Sequence, residues 1–191
     1  MQPPSTPAAK VSALAARFTT AGYPHAFGGD VALAAHAGCS DAARIDLHVF
    51  VAPRESPAIL ARLAVLGLAI DRAAAIERIA VRGALDLDWA ATPLSLRFGV
   101  DGLHALARPR VRRIPFADRF IVVLSPEDVL LERALAARRL ASPRVEVSAE
   151  AFRGDLDVAY LRRSLAALDS APPVPEIERL LAARAADLAG A

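Results

Sequence analysis

The sequence predicts an α/β chain of the α+β kind, a mixed sheet with flanking helices on one side, followed by a helical C-terminal part. Three observations predict it. Residues 44–52 alternate and are rich in β-formers, the pattern of a strand with two distinct faces. Lys10 to Thr20 sets Val11, Leu14, Ala15 and Phe18 at helical spacing. Strand and helix patterns interleave up to residue 124 and give way to helical patterns alone, which separates a mixed lobe (10–124) from a helical one (125–191) packed on it.

The elements follow in order. Met1-Gln2-Pro3-Pro4-Ser5-Thr6-Pro7 lacks the basic start and apolar centre of a secretory signal, so 1–9 is expected as a flexible tail. The first helix, Lys10 to Thr20, stops at Gly22-Tyr23-Pro24. His25-Ala26-Phe27 is a short strand, and Gly28-Gly29 turns it into a helix from Asp30 to Ala37. After the strand at 44–52, Ser56 caps a helix from Pro57 to Ala69 with proline at its first position. Ile76–Val81, Leu85–Trp89 and Leu94–Phe98 are expected strands, broken by Gly83 and Thr92-Pro93. Val100–Ala107 is a short helix, and Arg110–Ile114 and Phe120–Leu124 are strands around Pro115. Ser125 caps a helix running to Leu140, with Pro126 at its first position and Asp128 where a capping box places its acid. Pro143–Ser148 is a linker, and helices are expected over Asp155–Leu168 and Val174–Ala189.

Composition narrows the function classes. A chain of 191 residues has room for one real core, and with only 5% aromatic residues that core must be built from Leu, Val and Ile. No run of about eighteen residues is apolar and free of charge, so no membrane span is expected. The single cysteine, Cys39, excludes an intrachain disulfide and sets a cytoplasmic expectation. Twenty-three basic residues against twenty-one acidic leave a net charge of +2, too little to argue for nucleic acid. Arg108, Arg110, Arg112 and Arg113 form a basic run that could touch RNA or DNA phosphates with a steep salt dependence, but without interleaved aromatics it reads better as a charged strand edge that discourages aggregation. No catalytic serine triad, zinc spacing, Walker loop or dinucleotide fingerprint is present.

One constellation carries chemistry. Side chains at i and i+2 of a strand share a face, so Arg44, Asp46 and His48 project together, as do Asp86 and Asp88. Acids converging from neighbouring strands are how two-metal sites hold divalent ions against phosphates. A glycine pair opening a helix lets backbone amides approach an anion.

Four segments in this order resemble the nucleotidyltransferases of the DNA polymerase beta superfamily, and within it the AbiEii-like and minimal nucleotidyltransferases. They are Gly28-Gly29-Asp30-Val31-Ala32-Leu33-Ala34-Ala35-His36, Arg44-Ile45-Asp46-Leu47, Leu85-Asp86-Leu87-Asp88-Trp89, and Leu124-Ser125-Pro126-Glu127-Asp128 through Arg133. The resemblance spans Tyr23 to Leu165. It implies a nucleotidyltransferase-like fold and Mg2+-dependent transfer of a nucleoside monophosphate from a nucleoside triphosphate to a hydroxyl of a protein, nucleic acid or small molecule. It implies Asp46 and Asp86 as catalytic carboxylates, with magnesium held among Asp46, His48, Asp86 and Asp88. The triphosphate would lie on Gly28, Gly29 and Arg133, the last standing where the family carries lysine.

The Asp-x-Asp strand is degenerate. Without gaps, Arg44 replaces the first acid and Asp46 is the second. Shifted by two, Asp46 is the first and His48 replaces the second. The ungapped register fits Ile45 and Leu47 better. An arginine there opposes metal binding by roughly 4 kcal/mol per unit charge at about 4 Å and an effective dielectric near 20, doubled for a divalent ion, unless it swings to pair with Asp86 or Asp88. The alternative function follows: a non-catalytic domain of this fold, serving as a nucleotide-binding or protein-interaction module of the toxin–antitoxin kind with a partner protein.

Overall fold

Thr6 opens the first helix: its hydroxyl accepts the amide of Ala9 and Pro7 takes the first helical position, so the helix begins ahead of Lys10. The structure is a computed structural model and describes residues 4–140 and 156–168. In order the elements are α1 Pro7–Thr20, β1 His25–Gly28, α2 Gly29–His36, β2 Ile45–Val49, α3 Ser56–Ala64, α4 Arg72–Arg82, β3 Ala84–Trp89 and β4 Thr92–Phe98. Then come α5 Gly102–Ala107, β5 Arg112–Phe116, β6 Arg119–Val123, α6 Pro126–Leu140 and α7 Val158–Ala167. The expected linker at Pro143–Ser148 and helix at Val174–Ala189 lie outside the described residues.

One expected strand is a helix. Ile76–Val81 lies in α4, because Asp71 accepts the amides of Ala73 and Ala74 and Gly83 ends the helix in the left-handed region at φ 64°. Between those stops Ala75 and Ile79, four residues apart, bury one helical stripe. Local β propensity loses to two caps and an apolar stripe. The helix α3 also stops at Ala64, short of Ala69. The Ser125 prediction holds: its hydroxyl accepts the Asp128 amide at 3.2 Å and donates to the Asp128 carboxylate at 2.7 Å.

Six strands form one mixed sheet in the order β3-β4-β2-β1-β6-β5. β2 lies antiparallel to β1 and parallel to β4. Alternation along β2 sorts two faces. Ile45, Leu47 and Val49 stand beside Leu94, Leu96 and Phe98 of β4, with Phe27 and His25 on the other side. This apolar face lies under α1, whose Phe18 ring is 5.3 Å from that of His25. The opposite face carries Asp46 and His48 and is met by α6 through Glu132, whose carboxylate bonds both the His48 ring and the start of α2. Helices therefore cover both faces of the sheet, and every residue of β2 is buried. A strand with polar groups pointing inward requires a covering element that supplies their partners.

Lys10 ties α1 to the β3–β4 hairpin. The residue is 1% exposed, and its ammonium donates to the carbonyls of Trp89 (2.6 Å) and Ala90 (2.9 Å) and to the Thr92 hydroxyl (2.9 Å). The turn it holds contains Ala90 and Ala91 at φ 46° and 62°. Methionine keeps the length of this side chain but satisfies none of the three acceptors. Lys10→Met is expected to lower unfolding free energy by about 2 kcal/mol or more in urea titrations; an unchanged midpoint would show the three bonds to be energetically idle.

Candidate functional site

Sheet register builds the site. Gly28 pairs with Asp46, Asp46 with Ser95, and Ser95 with Asp86, so one row crosses β1, β2, β4 and β3. The next row holds Ala26, His48, Arg97 and Ala84. Paired residues project to the same side, so Asp46, His48, Ser95, Arg97 and Asp86 share one polar face with the Gly28-Gly29 turn.

The glycines are required by what stands above them. A Cβ at Gly28 would lie 2.5 Å from Glu132 Oε2 and 2.7 Å from His48 Nε2. At Gly29, with φ +48°, it would collide with Asp46 Oδ2. The Gly29 amide donates to Glu132 Oε2 at 2.9 Å, and the other oxygen of the same carboxylate shares a 2.9 Å hydrogen bond with His48 Nε2. Arg97 Nε stands 3.6 Å from that oxygen and Arg97 Nη2 4.0 Å from Asp46 Oδ1. Glu132, on α6, thus takes the backbone donor that an anion at the glycine turn would use.

Arg44 closes the other side. Its Nε donates to Asp46 Oδ1 and its Nη2 to Asp86 Oδ1, both at 3.1 Å, so one guanidinium spans the two carboxylates. Asp46 is buried while the Asp86 side chain is 75% exposed, so this pairing is strongest at its Asp46 end. Asp88 accepts the Ala91 amide at 2.7 Å and secures the hairpin turn. Arg133 reaches Asp30, in the first turn of α2, at 3.4 Å. His36, at the end of the same helix, shares a 2.9 Å hydrogen bond with the Leu124 carbonyl.

Two buried acids meet here with opposite fates. Burial resists charge on Glu132, yet the His48 ring beside it, Arg97 and the Gly29 amide hold its carboxyl down to about 2. Asp46 is raised, first by burial and then by the charge of Glu132, against the pull of Arg44 and Arg97. Beside the pair, His104 is pushed down to about 4 by burial and by the neighbouring His48, whose ring centroid is 5.3 Å away. It is therefore neutral at pH 7.

Next to the C-terminal ends of β2 and β4 a cavity of about 470 Å³ opens. His48, Arg97, His104 and Glu132 line its polar side, and Leu135 and Leu168 belong to its apolar side.

The sequence singled out Gly28, Gly29, Asp46, His48 and Asp86, and the structure gathers them on one face. Asp88 shares that face but is engaged in its turn, and Arg133 is engaged at α2. Sequence reasoning passed over Glu132, Ser95 and Arg97. A signal for the last two existed: Leu94, Leu96 and Phe98 alternate with Ser95 and Arg97, which marks a two-faced strand. Glu132 was visible only as an acid interrupting Val129-Leu130-Leu131.

A divalent-metal pair does not fit these residues as they stand. The residue beside Asp46 on the adjacent strand is Ser95, and Asp86 is one strand further away. The space between the two acids holds a guanidinium. Among the described residues no three His, Cys, Asp or Glu side chains converge in metal-binding geometry.

No protein-family profile matches this chain, and no curated protein sequence matches it. Its fold does have a solved counterpart, the solution structure of the antibiotic-resistance factor ANT(2'')-Ia. The two superpose with a TM-score of 0.50 at 16% sequence identity over 95% of this chain and 94% of that one. The likeness is one of fold, the nucleotidyltransferase-like fold expected from the sequence. Among the described residues no helix is long and apolar enough to cross a membrane.

Two outcomes are expected. Gly29→Ala puts a Cβ into a left-handed residue and against a buried carboxylate, and should cost about 2 kcal/mol or more in chemical denaturation. The second concerns acid. The folded value of Glu132 lies below its ordinary 4.5, so the stability its charge contributes is complete above about 4.5 and is lost as pH falls toward about 2. Asp46, raised in the fold, contributes the opposite slope. Stability measured against pH should therefore fall more steeply across that window in the parent than in Glu132→Gln. Parallel curves would remove Glu132 from the account.

Proposed function

We propose that this chain is a non-catalytic nucleotidyltransferase-fold protein that acts as a binding module. The observation that carries this reading is the Arg44 guanidinium, hydrogen-bonded at 3.1 Å to both Asp46 and Asp86. A cation in that position supplies internally the neutralisation that a divalent ion would otherwise bring, and repels the ion itself. Glu132 supports the same reading, since its carboxylate already occupies the Gly29 amide. The AbiEii-like character suggested by motif order, a cytoplasmic setting and a partner protein belong to this proposal and rest on the sequence.

A second reading keeps the activity. Asp46, Asp86 and the Gly28-Gly29 turn do share one face, the arrangement nucleotidyl transfer needs. On this reading Asp46 and Asp86 are the catalytic acids, with His48 and Asp88 as further magnesium ligands. Gly28, Gly29 and Arg133 take the triphosphate, and Arg44 is displaced when substrate binds.

Calorimetry with magnesium and ATP, together with a labelled-nucleotide transfer assay, separates the two. The parent should bind magnesium nucleotide weakly and transfer nothing. Arg44→Asp combined with Ser95→Asp places acids on both sides of Asp46 and should raise magnesium affinity by about tenfold or more. Transfer by the parent that disappears in Asp46→Ala, with an unchanged melting temperature, would establish the catalytic reading instead.

A further inference from the structure

The cavity beside the C-terminal ends of β2 and β4 has two features that the acidic row does not explain. First, its volume of about 470 Å³ falls in the range of small-molecule sites, roughly 300–1,000 Å³. Second, two residues of its lining, Arg97 on β4 and His104 on α5, each carry a buried side-chain nitrogen (Nε and Nε2) without a hydrogen-bond partner among the described residues. Buried polar atoms in folded proteins are nearly always satisfied, so two orphans on one cavity mark a place where a ligand or ordered solvent completes the structure.

The chemistry of the lining narrows the class. Arg97 is held near Glu132 (3.6 Å) and Asp46 (4.0 Å) by charge, at distances too long for good hydrogen bonds, so its planar fork retains donor capacity. Glu132, the buried acid of the lining, has its two oxygens on Gly29 and His48, and Asp101 is exposed. Arg82 adds a second, exposed cation. Leu103, Leu135 and Leu168 supply apolar wall from three helical segments. A guanidinium with open donors, a neutral imidazole and a leucine wall match a molecule with one anionic end and an apolar body.

We propose that this cavity binds a small organic anion, its carboxylate or phosphate received by Arg97 and its apolar body packed against Leu103, Leu135 and Leu168. This rests on the binding-module reading and gives that module its ligand class.

The test is calorimetric and thermal-shift titration of the full chain with benzoate and phenyl phosphate, without magnesium or nucleotide. Inorganic phosphate controls for the anion alone and benzyl alcohol for the body alone. At least one organic anion should raise the melting temperature and bind at least about tenfold more tightly than either control, and the tighter of the two identifies the anionic group. Leu135→Trp fills the cavity and Arg97→Met removes the fork; each should weaken that binding by about tenfold or more. Val100→Trp, at a cavity residue 56% exposed, repeats the block at a position tolerant of substitution if Leu135→Trp does not fold. Controls that bind as well as the organic anions, or full affinity in the blocked and Arg97 variants, would overturn the proposal. Organic-anion binding in a parent that also transfers nucleotide would sink the non-catalytic reading alone, and neither binding nor transfer would sink the cavity proposal alone.

Discussion

The Glu132 carboxylate is the constraint on which this molecule's polar face depends. It is buried on α6 and receives the Gly29 amide and the His48 ring at 2.9 Å each, with Arg97 close by. Those contacts bind four elements at one point: α6, the β1–α2 turn, β2 and β4. A buried ionised acid is tolerable only when fully engaged, so the position of each donor is fixed by the others. The glycine pair is a consequence, because any Cβ at Gly28 would enter the space held by Glu132 and His48.

Around that point the face balances its charge from within. Arg44 spans Asp46 and Asp86, Arg97 stands between Asp46 and Glu132, and Arg133 meets Asp30 at the start of α2. The result is an acidic row paired with arginines. A nucleotidyltransferase-like fold here carries a polar face whose acids are paired with arginines of the same chain. The fold itself supplies only the rows of the sheet; the residues set on them decide the chemistry.

The helical part is attached by a second polar cluster. Asp128, fully buried, accepts the Tyr160 hydroxyl and the Ser125 hydroxyl, while Glu127 accepts the Asp157 amide at 2.9 Å. Arg110 pairs with Glu127 at 3.0 Å and stacks 3.7 Å above the Tyr160 ring. The basic run of the sequence is therefore divided in its duties. Arg110 holds α7 to α6, whereas Arg112 and Arg113 are exposed on β5, an edge strand of the sheet.

Sequence alone determined those features whose causes are local. Alternation gave β2 its two faces, Ser125 and Asp128 gave α6 its start, and the i, i+2 rule placed Arg44, Asp46 and His48 together before any fold was known. It pointed to a strand at Ile76–Val81, where β propensity is local, whereas Asp71 and Gly83 act as the two caps of a helix. Helices on both faces of the sheet were equally out of reach, since burial on the second face depends on which later helix returns to cover it. Strand order was the decisive gap. Sequence places Asp86 near Asp46 by motif order, but only the pairing of β2 with β4 puts Ser95 beside Asp46 and Asp86 a strand beyond. Glu132, separated from Gly29 by over a hundred residues, became part of the site only when α6 folded back over the sheet. Contacts of that span are set by how elements pack, and no periodicity or spacing in the chain encodes them.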